Sequence, residues 1–300
     1  MAIECPCPMP LALKGHRMAK LLKGLPVAKG LVSRLVPRVE ALKARSIVPT
    51  LAIVRVGARE DDLAYERGAT KRCAAAGIEV RTFALPEDCT QAELASTIEA
   101  VNCDDGIHGC LLFRPLPAEL DEQAACAAFD PAKDVDCACD LSLLGVLCNR
   151  EVGFAPCTAE ACVELLEHYG YDLCGANVCV VGRSLVIGKP VSLMMQARNA
   201  TVTMCHTRTR DLAAACRNAD VLVVAAGHAN TVGGDCAREG QVVVDVGINW
   251  DEDAQALCGD VAFGEVEPKV AAITPVPGGV GSVTTAVLAK HVVEAAERLA

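Results

Sequence analysis

Two glycine-bearing runs in the second half of the chain combine residue types that could do chemistry: VVGRSLVIGKP, Val180 to Pro190, and TPVPGGVGS, Thr274 to Ser282. The first follows an apolar run and precedes an amphipathic one. It therefore reads as a strand-to-helix turn, with Gly182 and Ser184 where backbone N–H groups meet the phosphates of a nucleotide. The spacing Gly182, Ser184, Gly188 departs from GxGxxG, and such a turn also occurs in proteins without a ligand.

The next apolar run, Thr201 to Cys205, leads into His206, Thr207, Arg208, Thr209 and Arg210, with no carboxylate to repel a 2′-phosphate. Arg183 can fork onto that phosphate and Thr207 can hydrogen-bond it, so NADP is the favoured cofactor and NAD the alternative. Asp245 to Asn249, with Ile248 among them, end a later strand at the same carboxyl edge, where a nicotinamide ring would lie. The second run is too rich in Pro and Gly for a helix or strand interior. It reads as a loop whose backbone, at Pro277, Gly278, Gly279 and Val280, approaches a closely bound flat ligand.

The elements that must position these residues follow from periodicity. Apolar residues at helical spacing from Val27 to Arg45, irregular at Pro37, precede a strand at Thr50 to Val56. Then come a helix over Asp61 to Ala76, a strand at Glu79 to Ala84, a helix over Gln91 to Asn102 and a strand at Ile107 to Phe113. A polar, proline-marked stretch from Pro115 to Val152 breaks the alternation. It resumes with a helix over Thr158 to Tyr169 and strands near Asn177 to Val181, Thr201 to Cys205, Val221 to Ala225 and Gln241 to Val246; an amphipathic run, Thr284 to Leu299, closes the chain.

The fold class is thus α/β, with two parallel-sheet domains and a ligand cleft between them. The expected division is a tail at 1–17, a first domain at 18–150 completed by 284–300, and a Rossmann-like nucleotide domain at 151–283. The tail carries three prolines and no periodicity, consistent with disorder or an upstream mis-start.

Composition narrows the partners. A net charge of −10 argues against a nucleic-acid surface, which needs clustered Lys and Arg, and leaves a small molecule as the expected ligand. No apolar run reaches the length of a membrane span and no signal peptide precedes the chain, so a cytoplasmic location is expected. The 18 cysteines scatter through strands and helices and read as small buried hydrophobes in a reducing compartment. Cys5 with Cys7, and Cys137 with Cys139, are spaced too closely for a structural zinc site and lack a second half, so no metal is expected.

Six segments in order resemble the methylenetetrahydrofolate dehydrogenase and methenyltetrahydrofolate cyclohydrolase (FolD) family: KDVD at Lys133, PCT at Pro156, GRSLVIGKP at Gly182, ATVTMCHTRT at Ala200, VVVDVGIN at Val242 and ITPVPGGVG at Ile273. The resemblance runs from about Met18 to the C-terminus. It implies a tetrahydrofolate derivative as substrate, a homodimer formed through the nucleotide domain, and roles for particular residues. Asp136 would bind the amino-pyrimidine edge of the pterin, Tyr65 would stack on the ligand, and Gly278, Gly279 and Val280 would pass close to it. On the residues alone, Asp134 and Asp136 could equally be loop and cap residues, and Tyr65 a half-buried helix aromatic.

The chain also departs from that family. Where bifunctional members carry a lysine one helical turn after the pocket tyrosine stands Ala69. Lys71 lies about 240° around the helix from Tyr65, and Arg72 regains the face only about 10 Å further along. The family's GxLVQLPLP appears as GCLLFRPLP, which puts Phe113 in place of the glutamine; Asp62 replaces a serine and Ser282 a proline. Hydride transfer needs chiefly a positioned donor and acceptor, whereas hydrolysis of the methenyl cation needs a positioned acid or base. The expectation is a dehydrogenase with weak or absent cyclohydrolase activity. The alternatives are a dehydrogenase for another pterin one-carbon carrier and a catalytically silent folate- or nucleotide-binding protein.

Overall fold

The computed structural model describes residues 18–300, so the tail and the Cys5–Cys7 pair lie outside the described residues. In chain order the elements are β1 (Lys20–Leu21), α1 (Gly24–Lys43), β2 (Thr50–Val56), α2 (Glu60–Ala76), β3 (Glu79–Leu85), α3 (Gln91–Cys103), β4 (Gly109–Leu112), α4 (Glu122–Ala127) and α5 (Asp140–Cys148). There follow α6 (Cys157–His168), β5 (Asn177–Val181), α7 (Gly188–Gln196), β6 (Thr201–Cys205), α8 (Leu212–Arg217), β7 (Val221–Val224), β8 (Val242–Asp245), β9 (Asn249–Asp251), β10 (Ala256–Cys258), α9 (Phe263–Val266), β11 (Ala272–Ile273) and α10 (Gly281–Arg298).

Two parallel sheets organise them, one of three strands in the order β3-β2-β4 and one of six in the order β1-β11-β8-β7-β5-β6. Strands buried on both faces are apolar along their buried length, and β5 is so after its exposed first residue Asn177: Val178 and Val180 enter one core while Cys179 and Val181 enter another. The first of these cores is shared. It joins Ile53 and Leu111 of the small sheet to Val180 and Val244 of the large one through α1, α6 and α10, so these helices tie the two halves together.

α10 packs against α1, α6 and α2, which is why it is buried over most of its circumference. α1 runs unbroken through Pro37, because the proline sits on the solvent face, opposite the stripe Val27, Leu31, Leu35, Val39 and Leu42.

The stretch from Pro115 to Val152 is not structureless; it holds α4 and α5. Neither shows a helical period in the sequence, because each is short. Asp121 caps α4 by accepting from Ala124 N at 2.9 Å. Asp134 organises the entry to α5, accepting from Ala138 N, Cys139 N and Ser142 Oγ at 2.7, 2.9 and 2.6 Å. The β9–β10 hairpin and the two-residue strands β1 and β11 were likewise too short to read.

Among the described residues every cysteine is a free thiol, most of them buried, with Cys103, Cys148 and Cys174 exposed. No described helix is long and apolar enough to cross a membrane.

Candidate active site

The KDVD segment separates into three different jobs. Lys133 reaches back to the last turn of α3 and donates to the carbonyls of Val101, Asn102 and Asp104 at 3.0, 2.8 and 2.8 Å. Asp134 is consumed by the turn into α5. Asp136 is left half-buried; its Oδ1 accepts from Cys157 N, at the start of α6, at 2.9 Å, and its Oδ2 has no protein partner among the described residues. A carboxylate gripped on one oxygen and open on the other suits a ligand with two N–H groups. Burial raises the Asp136 carboxyl, while the Cys157 N–H, Arg114 and His291 pull it back down.

Tyr65 on α2 stands over Phe113 edge to face, with ring centroids 5.8 Å apart, and remains 37% exposed. Its hydroxyl pKa is pushed well above the usual 10, first by desolvation and then by the negative charge of Asp136. Tyr65, Phe113 and Asp136 thus form one cluster.

Ala69 lies fully buried in the stripe Ala69, Cys73, Ala76, and Lys71 is exposed. Arg72 is half-buried, its Nε without a hydrogen-bond partner. Asp62 is engaged by Arg59 through a forked pair at 2.8 and 2.9 Å. Arg114, at the end of β4, brings Nη1 within 3.9 Å of the Cys126 thiol. A guanidinium in that place supplies charge but no transferable proton at neutral pH.

The glycine loop after β11 is packed backbone to backbone. Gly24 N donates to Gly278 O at 2.8 Å, Gly278 has φ +104°, and a Cβ on Gly279 would stand 2.6 Å from Pro275 O. Val280 turns its side chain into the core, so only its backbone is available to a ligand. This loop closes one side of a cavity of about 200 Å³ whose other side is Val246, Gly247, Ile248 and Leu257. The second glycine run and the strand end singled out for a nicotinamide therefore face each other.

The turn after β5 is equally constrained. Gly182 has φ +139°, its N–H donates to Cys205 O at 2.9 Å, and a Cβ would collide with the carbonyl of Ala225. Gly182→Ala is expected to destabilise the nucleotide domain by about 2 kcal/mol or more, because strain and backbone collision add; a thermal midpoint equal to that of the parent protein would contradict this.

Ser184 Oγ accepts from Ile187 N and Gly188 N at 3.1 and 3.4 Å, which caps α7 and leaves its O–H free to donate. Arg183 is exposed and without an ion pair among the described residues. The turn after β6 is tied by His206 N to Thr209 Oγ1 at 2.9 Å and by Arg208 N to His206 Nδ1 at 3.1 Å, and it holds Thr207 exposed.

Sequence reasoning missed Asp260. Its Oδ2 accepts from Ala226 N and Gly227 N at 2.6 and 2.8 Å, and its Oδ1 from Asn249 Nδ2 at 2.9 Å, so one carboxylate joins the loops after β7 and β8. Asp245 beside it accepts from Gly247, Asp260 and Val261, and burial nevertheless pushes its carboxyl up to about 6. No spacing in the sequence marks Asp260; only its burial amid polar neighbours does.

Comparison with known proteins agrees with this geometry. The model of the tetrahydrofolate dehydrogenase/cyclohydrolase catalytic domain matches residues 22–136, and that of the NAD(P)-binding domain matches residues 156–300. The chain is 49% identical over 276 residues to the bifunctional protein FolD of Clostridioides difficile, covering 92% of this chain and 96% of that one. It is 48% identical over 283 residues to FolD of Carboxydothermus hydrogenoformans, covering 94% and 99%.

Among solved structures, the bifunctional FolD of Campylobacter jejuni superposes with a TM-score of 0.90 at 36% identity, over 93% of this chain and 99% of that one. FolD of Trypanosoma brucei, complexed with NADP cofactor and inhibitor, gives 0.87 at 34% identity, over 94% and 98%.

Proposed function

The chain belongs to the tetrahydrofolate dehydrogenase/cyclohydrolase family and is an NADP-dependent methylenetetrahydrofolate dehydrogenase; we propose that its cyclohydrolase activity is weak or absent. The observation that carries the proposal is the buried Ala69 one turn beyond Tyr65, with Phe113 packed against that tyrosine. Neither methyl nor phenyl can move a proton.

In this reading Asp136 holds the amino-pyrimidine edge of the pterin, Tyr65 stacks on it, Phe113 walls the pocket, and the backbone from Pro277 to Val280 closes over it. Gly182, Arg183, Ser184 and Thr207 hold the phosphates, and Ile248 borders the nicotinamide. The residues fit NADP: Ser184 keeps an O–H to donate, Arg183 an unpaired guanidinium, and no carboxylate stands beside Thr207. Bound NADP supplies the hydride acceptor. The protein contributes position, because the cavity between Ile248 and Gly279 is where two flat ligands meet.

The domain division follows the same reading, with 18–150 and 284–300 serving folate and 151–283 the nucleotide. A homodimer and a cytoplasmic location complete the proposal.

Arg183→Ala is expected to raise KM for NADP by about 10- to 100-fold with little change in KM for NAD, since a forked guanidinium–phosphate contact is lost. Steady-state kinetics with each cofactor checks this, and an equal loss for both would remove Arg183 from the 2′-phosphate.

The decisive assay gives purified protein NADP and methylenetetrahydrofolate and follows reduced cofactor and methenyltetrahydrofolate together. Both should rise in step, and prompt disappearance of the methenyl product would refute the proposal.

A further inference from the structure

Behind Asp136 lies a buried charged network that the dehydrogenase chemistry does not use. His291 on α10 is 1% exposed; its Nδ1 stands 2.8 Å from Val135 O and its Nε2 3.0 Å from Glu160 Oε2. Both neighbours are acceptors, so both ring nitrogens must be donors, and only the imidazolium provides two.

Glu160 in turn accepts from Lys290 Nζ at 2.6 Å, Lys290 also donates to Glu164 at 2.7 Å, and Arg34 of α1 approaches Glu164 at 3.7 Å. The buried His291 and the half-buried Lys290 thus face two half-buried carboxylates, which is what keeps charge tolerable at the edge of a core. The Phe154 ring packs on His291 at 5.0 Å and carries the Arg298 guanidinium at 4.3 Å on it.

The carbonyl of Val135 and the amide of Asp136 belong to one peptide plane. His291 grips that plane from the α10 side, and Cys157 holds it from the α6 side, with its Sγ 3.3 Å from Val135 O and its N–H on the Asp136 carboxylate. We propose that His291, kept as an imidazolium by the Glu160 carboxylate and the Val135 carbonyl, is a positioning residue for Asp136: it orients the Val135–Asp136 peptide and so sets folate affinity, and its deprotonation loosens the site. The inference rests on reading Asp136 as the pterin anchor.

A cavity of about 330 Å³, lined by His291 and Glu160 with Arg150, Phe154, Glu294 and Arg298, reaches the imidazole. None of the residues assigned to folate or nucleotide lines it, so His291 can exchange its proton without traffic through the ligand cleft.

The charged and titratable groups around the ring are Cys157, Glu160 and Glu164 on α6, Lys290 and Glu294 on α10, Asp134 and Asp136 beside Val135, Arg34 on α1, and Arg150, Glu151 and Arg298 at the cavity. Burial opposes charge on Glu160 and Lys290, but each holds the other ionised, so Glu160 stays far below and Lys290 above its usual range. Burial pushes the Cys157 thiol well up. For His291 burial lowers the value and Glu160 more than restores it, leaving it raised. A raised folded-state value means the clamp is complete below the ordinary imidazole range and is lost as pH rises through the raised value.

The test measures kcat and both KM values from acid to alkaline pH for the intact enzyme, Glu160→Gln, His291→Asn, His291→Leu and Asp136→Asn. In the parent protein KM for folate should climb as pH rises past the ordinary imidazole range. Glu160→Gln should move that climb about one pH unit or more toward acid, because the ring loses its main anionic partner. His291→Asn should abolish the climb, and His291→Leu should raise KM for folate about 10-fold at neutral pH, as expected for loss of a charged hydrogen bond. KM for NADP should change by less than about two-fold throughout.

Coincident folate profiles for the parent protein and Glu160→Gln, or an unchanged folate KM in His291→Leu, would overturn the proposal. If His291→Leu does not fold, the profiles of Glu160→Gln and His291→Asn decide the matter. If Asp136→Asn leaves folate KM unchanged, it is the anchor reading that fails.

Discussion

Replacing Asp136 with Ala is expected to lower kcat/KM for methylenetetrahydrofolate by about 100- to 1,000-fold while KM for NADP moves by less than about two-fold. The magnitude follows from what the carboxylate offers. One oxygen is held by the first N–H of α6, where the helix dipole also favours negative charge, and the other is presented without a protein partner. Two parallel charge-assisted bonds to a desolvated ligand are each worth about 1.5 to 3 kcal/mol, and losing them also leaves the ligand's own donors unpaired.

Asp136→Asn should do little better. If its amide oxygen takes the Cys157 N–H, its NH2 group turns toward the ligand's own N–H groups, donor against donor. Isothermal titration with folate checks the binding part and initial rates the rest. A variant that bound folate as tightly as the parent protein would remove Asp136 from the site.

The second large effect is one of ratio: hydrolysis of methenyltetrahydrofolate is expected to run at least about 100-fold slower than hydride transfer in the same preparation, since positioned acid–base groups ordinarily contribute 10²- to 10⁴-fold. Asp62, one of the substituted groups around that corner, is already forked onto Arg59. Arg114 adds charge at the mouth of the pocket but holds its proton.

Ala69→Lys is expected to raise the hydrolysis rate about 10-fold or more, and the double change with Phe113→Gln further, because the amide would orient the new ammonium. The lysine stem must leave a fully buried position, so a loss of stability of about 1 to 3 kcal/mol should accompany the gain. Stopped-flow decay of the methenyl product, corrected for its uncatalysed hydrolysis, measures both. Fast hydrolysis by the unmodified enzyme would show that another group carries the proton.

The missing amine also bears on the electrostatics of hydride loss, which leaves positive charge on the folate bridge. A site with a carboxylate at Asp136 and no ammonium at position 69 opposes that developing charge less than one carrying both. The proposed loss of hydrolysis is thus compatible with oxidation, and in this proposal the two activities separate at a single turn of α2.

Much of this was legible in the chain. The strands β2, β5 and β7 stand where their apolar runs put them, because central parallel strands are buried on both faces and so mostly apolar, and that signal is local. The turn after β5 and the loop after β11 were visible because Gly182 and Gly278 must occupy backbone regions that side chains avoid. Ala69 was visible because the resemblance to the family places a lysine one helical turn after Tyr65.

α4 and α5 were not visible, since each is too short to show a helical period. Asp260 and His291 were not visible either. Each acts on backbone far away in sequence, the first on the loop at Ala226 and the second on the carbonyl of Val135.

What the residue order determined alone was therefore the periodic and the strained: two parallel α/β units, a strand-to-helix turn that needs glycine, and a loop built of Pro and Gly. Tertiary structure decided which of the two acids in KDVD faces the cleft, which face of α10 carries a buried cation, and that the nicotinamide edge meets the glycine loop. The reason is physical. Propensity and backbone strain are properties of neighbours along the chain, whereas a carboxylate's free oxygen, a histidine's protonation and the width of a cavity depend on groups that only folding brings within 3 Å.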